Sequence, residues 1–283
     1  PYACANDILK MWQEKGILKI EDKPAIYIYE EEFSVGNSRK SIKGIIARVQ
    51  LEEFSKGIIL PHEFTLSKAK EDRLNLMKAT NCNFSQIYAL YMDEKHTTLA
   101  TIDEQSKSKA DMEFTDETGV THRLWIETDS DIIEKLVNDF ADRKLYIADG
   151  HHRYETALNY RNYCRENGIS KPGDPQDFQM IYLVDMEHPG LVVFPTHRLV
   201  RDLPNFDKEA VLEKCSEFFY IDEKEGTDTM EEDLKKLYDE GKKAFGFYCG
   251  KDEWFLLTLK DINVMSQMLP DVSKASQSLD VSV

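Results

Sequence analysis

The chain has 283 residues, 41% hydrophobic and 31% charged, with 13 Gly and 9 Pro and no low-complexity tract. This is the composition of a folded chain, and the length allows about two domains with sizeable cores, so small disulfide scaffolds and intrinsic disorder are excluded. The 36 Lys and Arg against 52 Asp and Glu give a net charge of −16, opposite to the basic footprint of phosphate-backbone binding, so no nucleic-acid partner is expected.

Along the chain, Ile8, Leu9, Met11 and Trp12 recur at helical spacing and stop at Gly16, predicting a first helix. Ala25 to Tyr29 and Ile42 to Leu51 are β-rich runs around a Gly36-Asn37-Ser38 turn, the pattern of an antiparallel hairpin whose acids Glu30, Glu31 and Glu32 are read as solvated. A strand from Gly57 ends at Pro61, and a helix follows over Ser67 to Met77. Phe84 to Met92 reads as a buried strand. The polar Asp93 to Thr118 reads as an exposed hairpin excursion, and Gly119 to Thr128 as an alternating strand.

Asp129 to Phe140 has a cap and a single apolar stripe, the signature of an amphipathic helix. A short strand from Lys144 to Ala148 then meets Asp149-Gly150-His151-His152-Arg153, and a helix runs over Tyr154 to Glu166. Gln179 to Met186 and Gly190 to Val200 read as two further strands, the second carrying Pro195-Thr196-His197-Arg198. Beyond Leu203-Pro204, the order helix, strand, helix, strand, strand predicts a smaller α+β unit. The expected fold class is therefore α+β, with a domain over 1–204 and a smaller one over 205–283 that is incomplete at its C-terminus. The abrupt start at Pro1 and the apolar alternation at the end suggest a fragment of a longer protein.

Cys4, Cys82, Cys164, Cys215 and Cys249 are odd in number, far apart and never in a CxxC pair, so neither a disulfide framework nor a zinc site is indicated. No apolar run approaches the roughly 20 residues needed to cross a bilayer, and no signal peptide is visible. A cytoplasmic protein without a membrane partner is expected.

Four of the seven histidines fall in three short motifs: Pro61-His62-Glu63, Asp149-Gly150-His151-His152-Arg153 and Pro195-Thr196-His197-Arg198. In the second, Gly150 permits a turn into a helix N-terminus, where free N–H groups and the dipole favour an anion. His151, His152 and Arg153 add donors, and an arginine fork can grip phosphate oxygens in bidentate fashion. A carboxylate at such a place, Asp149, is suited to hold Mg²⁺ or take a proton from a hydroxyl. The bland alternatives are a helix cap at Asp149, a solvated Glu63 after a strand, and a strand rim at Thr196, His197 and Arg198, which otherwise join His62 as additional pocket residues. Adjacent histidines do not make a zinc pair, and no HExxH is present. Neither GxxxxGK[ST], GxGxxG, HRD, DFG nor GxSxG occurs, which removes the common nucleotide and acyl-transfer families.

Gly57-Ile-Ile-Leu-Pro-His-Glu-Phe-Thr, Lys70-Glu-Asp-Arg-Leu-Asn-Leu-Met-Lys-Ala-Thr, Leu145-Tyr-Ile-Ala-Asp-Gly-His-His-Arg-Tyr-Glu-Thr-Ala and Phe194-Pro-Thr-His-Arg-Leu-Val together resemble the blocks of the family called domain of unknown function 1015. That family is related to free L-serine kinases whose core is similar to ParB and sulfiredoxin. The resemblance implies a mixed sheet with such a core and a kinase using ADP or ATP. It makes Glu63 the catalytic base toward a serine hydroxyl, Asp149 a second catalytic residue that would hold Mg²⁺, and Gly150, His151, His152 and Arg153 the phosphate-binding turn. The turn carries no cysteine, so sulfinic-acid reduction is not implied. ParB's DNA-binding helices have no counterpart either. The alternative is a non-catalytic regulatory protein that binds a nucleotide or phosphometabolite.

Overall fold

The computed structural model describes all residues except Phe64, Leu66, Pro195, Thr196 and Asp228, and all side chains of the remainder except those of Ser67, Lys68 and Ala69. The chain is α+β and divides into two compact units, Pro1–Phe194 and Pro195–Val283.

In the first unit, α1 (Tyr2–Glu14) precedes a long hairpin of β1 (Ile26–Val35) and β2 (Ser38–Gln50), turned at Gly36-Asn37. β3 (Ile59–Leu60) is cut short at Pro61, which has no N–H to donate to a ladder. Then come α2 (Ser67–Thr80), β4 (Ile87–Tyr91), α3 (Thr97–Gln105), β5 (Met112–Thr115), β6 (Thr121–Glu127), α4 (Ser130–Asp139), β7 (Leu145–Asp149), α5 (His151–Glu166) and β8 (Phe178–Asp185). The strands form one mixed sheet in the order β3-β7-β4-β8-β2-β1-β6-β5. Its two parallel contacts are β3 with β7 and β4 with β8.

Period-2 alternation divides the strands between two faces. Ile28, Ile45, Ile87, Ala89, Ile147, Ile181 and Leu183 point to the first face and are buried with Ile102 of α3, Leu136 of α4 and Tyr154, Ala157 and Leu158 of α5. The second face carries Ile42, Tyr182 and Val184, with Tyr29, Phe33, Ile46, Tyr88, Leu90 and Leu191 packed around them. The fully buried Tyr154 secures α5, because its hydroxyl donates to Glu52 O at 2.8 Å and accepts from Glu52 N at 2.9 Å.

Three sequence expectations are corrected. The Asp93 to Thr118 segment is not only a hairpin excursion, since it contains α3 with Thr98, Thr101 and Ile102 buried. Thr101 reaches the core by satisfying its hydroxyl on Thr97 O at 2.8 Å, so polar composition concealed a packed helix. Gly190 to Val200 forms no strand among the described residues. Among the described residues this segment has no ladder partner, and Val193 and Leu199 are held out to solvent. Glu30 and Glu32 are not simply solvated: Arg123 stands opposite Glu30 in the β1–β6 register and donates to Glu30 at 3.1 Å and Glu32 at 2.7 Å.

The first unit ends at Phe194, and near its end Leu191 packs on the Ile42-Tyr182-Val184 cluster. The second unit contains α6 (Lys208–Ser216), β9 (Phe219–Glu225), α7 (Met230–Asp239), β10 (Ala244–Tyr248), β11 (Glu253–Leu259), α8 (Val264–Met268) and α9 (Lys274–Gln277). Its antiparallel sheet runs β10-β11-β9, with Met230, Phe255, Leu256, Leu257 and Met265 buried. The five cysteines are free, and among the described residues no helix is long and apolar enough to cross a membrane.

Candidate functional site

The pairing of β3 with β7 decides where the sequence motifs meet. Ile59 lies beside Leu145 and Leu60 beside Tyr146 in a parallel ladder, so both strands leave the sheet at the same end. Pro61-His62-Glu63 and Asp149-Gly150-His151 are therefore neighbours, although more than 80 residues separate them in the chain. Gly150 makes the turn with φ +98°, a conformation side chains rarely adopt. A Cβ at that position would also lie 2.9 Å from Arg153 Nε.

His151 is the joint between the two segments. It is buried, and its Nε2 accepts from the backbone N–H of His62 at 3.2 Å. An N–H can only donate, so the neutral ring carries its proton on Nδ1, which faces Glu63 Oε2 at 3.5 Å. Burial holds the imidazole below its ordinary pKa, and His62 pushes the same way, while Glu63 and Asp149 oppose without reversing the shift. His151 is thus a neutral positioning residue. The His62 ring packs edge-on to it at 4.5 Å, with Nδ1 donating to Ile147 O at 2.8 Å. Glu63 itself is 62% exposed and reachable from solvent.

Asp149 and Arg153 occupy the other side of the turn. Arg153 pairs with Asp149, donates to Gln86 O, and donates to Ser85 Oγ at 2.6 Å, tying the head of α5 to the start of β4. No side chain caps α5, and the first N–H groups of any helix lack intrahelical partners, so its positive end is suited to an anion. His152, the next residue on α5, lies near Glu155. Burial alone would raise the Glu155 carboxyl. Hydrogen bonds from Lys70 at 2.6 Å and Thr65 at 2.7 Å, with the charges of Lys70 and His152, hold it below the ordinary carboxylate range.

The structure thus brings together His62, Glu63, Asp149, Gly150, His151, His152 and Arg153. His197 and Arg198 are exposed residues of the second unit, and Thr196 lies outside the described residues. Among the described residues no group of three or more His, Cys, Asp and Glu could hold a metal ion alone. Mg²⁺ is commonly bound by one or two carboxylates completed by substrate phosphates, and Asp149 is one exposed carboxylate at the turn, paired with Arg153.

Sequence reading missed the Lys70–Glu155 pair, which joins two quoted blocks, and a cleft of about 470 Å³ beside Asp149 and Arg153 whose lining includes Tyr29, Tyr88 and Tyr182. The period-2 alternation around each tyrosine was the available signal, but only the sheet register brings the three together. No curated protein and no solved structure matches the chain significantly. The model of a family described as protein of unknown function (DUF1015) matches residues 1–282, and the chain belongs to that family.

Proposed function

We propose that this protein is a small-molecule kinase that transfers a phosphoryl group from ADP or ATP to the hydroxyl of free L-serine or a similar hydroxy amino acid. The observation that carries the reading is the approach of the Glu63 carboxylate to His151 at the head of α5, 3.5 Å away. It brings a solvent-accessible acceptor of protons beside an anion-binding helix terminus. The resemblance to serine kinases supports the same assignment.

In this mechanism the phosphates lie at the N-terminus of α5, where its dipole and Arg153 neutralise them. Arg153 exchanges part of its pairing with Asp149 for phosphate oxygens. Asp149 is then the residue that would hold Mg²⁺, which when bound supplies neutralisation of the phosphate charge. Glu63 takes the proton of the acceptor hydroxyl as its oxygen attacks the terminal phosphorus. The phosphorus bond to the leaving oxygen breaks, releasing AMP from ADP or ADP from ATP together with the phosphorylated product. His151 keeps Glu63 oriented through Nδ1 and holds the His62 backbone through Nε2.

The test is a phosphorus NMR screen of the protein with Mg²⁺, ADP or ATP, and free hydroxy amino acids. A phosphomonoester signal growing with L-serine or an analogue is the expected result. Nucleotide binding without transfer to any acceptor would overturn the kinase assignment in favour of a regulatory protein.

A further inference from the structure

The anion-binding turn accounts for one end of a nucleotide and leaves its base without a seat. The cleft beside the turn lies on the second face of the large sheet. Tyr88 and Tyr182 are register neighbours on parallel β4 and β8, and their rings stack at 5.4 Å and 21°. Tyr29, across β2 on β1, meets Tyr182 edge-on at 5.3 Å and 73°. The three rings come from separate parts of the sequence and converge because each occupies the same parity of its strand.

Two features hold this aromatic floor in place. Tyr182 lies against the backbone at Gly44, where a Cβ would stand 2.8 Å from the ring and 2.2 Å from Leu183 O. Its hydroxyl donates to Tyr29 O at 3.3 Å. Gly190, which also lines the cleft, lies close against β2, where a Cβ would fall 1.7 Å from Ser41 O.

The cleft has unlike ends. At one, Arg153 and Asp149 belong to the turn at the head of α5. At the other stands Glu31, whose Oε1 accepts from Tyr29 OH at 2.9 Å and whose remaining lone pairs suit O–H or N–H donors of a ligand. The volume of about 470 Å³ falls in the usual range for small-molecule sites, about 300 to 1,000 Å³. A molecule with an anionic end, a planar ring and hydrogen-bond donors at its far end fits this order.

We propose that the tyrosine cleft is the base-binding site of a nucleotide whose phosphates sit at Arg153, with the ring stacked on the partly exposed Tyr88, which the buried Tyr182 backs, and with Glu31 accepting from ribose hydroxyls or an exocyclic amine. This rests on the kinase reading for the identity of the phosphate ligand. The base site itself requires no transfer chemistry.

Isothermal calorimetry on the full chain with ADP, adenosine and pyrophosphate separates the two ends. Tyr88→Leu removes an aromatic face and is expected to weaken ADP and adenosine roughly five- to a hundredfold, leaving pyrophosphate unchanged. Tyr88→Phe keeps the face and restores both. Arg153→Ala is expected to weaken ADP and pyrophosphate while adenosine is unaffected. Should Tyr88→Leu fail to fold, as judged by its melting curve, saturation-transfer NMR on the wild-type protein gives the same answer, with the adenine ring protons of ADP receiving the strongest saturation. Pyrophosphate binding as tightly as ADP, unaltered ADP affinity in folded Tyr88→Leu, absence of adenosine binding, or ring protons without saturation would each overturn the base site. Base binding without phosphoryl transfer would leave the cleft standing and sink the kinase assignment. Transfer with unaltered affinity in Tyr88→Leu would do the reverse.

Discussion

His151, a member of the turn motif, is held by its protein surroundings through both ring nitrogens. Both ring nitrogens face protein groups, and burial disfavours the imidazolium. Its folded pKa is lowered, so the unfolded chain binds the proton more readily. The stability this group contributes is full above 6.5, the ordinary value, and is lost as pH falls from there through the lowered folded value. We expect the His151 ring to titrate in NMR with a midpoint below 6.5, accompanied by a falling melting temperature over that window; a midpoint at or above 6.5 would contradict the neutral joint. Arg153 is the opposite case. Its fork is already engaged by Asp149, Ser85 and Gln86, so phosphate binding at this residue is an exchange of partners rather than the filling of a vacant donor.

Elements were legible where a cap or a period marked them. Asp129 caps α4 by accepting from the N–H groups of Asp131 and Ile132, as its place before an apolar stripe implied, and the β1–β2 hairpin turns at its Gly-Asn pair. α3 was hidden because two of its three buried residues are threonines, whose polarity reads as surface until their hydroxyls are seen bonded within the helix and to Asp139. The Gly190 to Val200 run carries β-rich residues but, among the described residues, no partner strand, and residue preference alone does not make a ladder. The meeting of Glu63 with the Asp149 turn depends on β3 lying parallel to β7, a pairing that no local pattern in either segment encodes. The tyrosine floor has the same origin. Gly44 is a point where mutation would disturb it, because its backbone is not left-handed and the cost of a side chain there is steric. Gly44→Ala should destabilise the protein by about 1–3 kcal/mol, read as a lower melting temperature, and should weaken ADP by displacing Tyr182. An unchanged melting curve would mean that Tyr182 yields without cost and does not define the cleft.

At the scale of the molecule, the first unit carries the whole candidate site, from β3 and β7 through the head of α5 to the cleft on the second sheet face. The net charge of −16 makes a local cationic end on this surface depend on a few groups, Arg153 and the α5 terminus foremost. In the proposed mechanism Glu63 and the Asp149 turn act as one site that moves a phosphoryl group. Glu63→Gln keeps the shape of the side chain but cannot serve as the base, so it separates chemistry from binding. The direct measurement is turnover by phosphorus NMR together with ADP affinity, for wild type and Glu63→Gln side by side. The expected result is a loss of roughly 10² to 10⁴ in turnover with nucleotide affinity and melting temperature little changed. Full turnover in Glu63→Gln would contradict it.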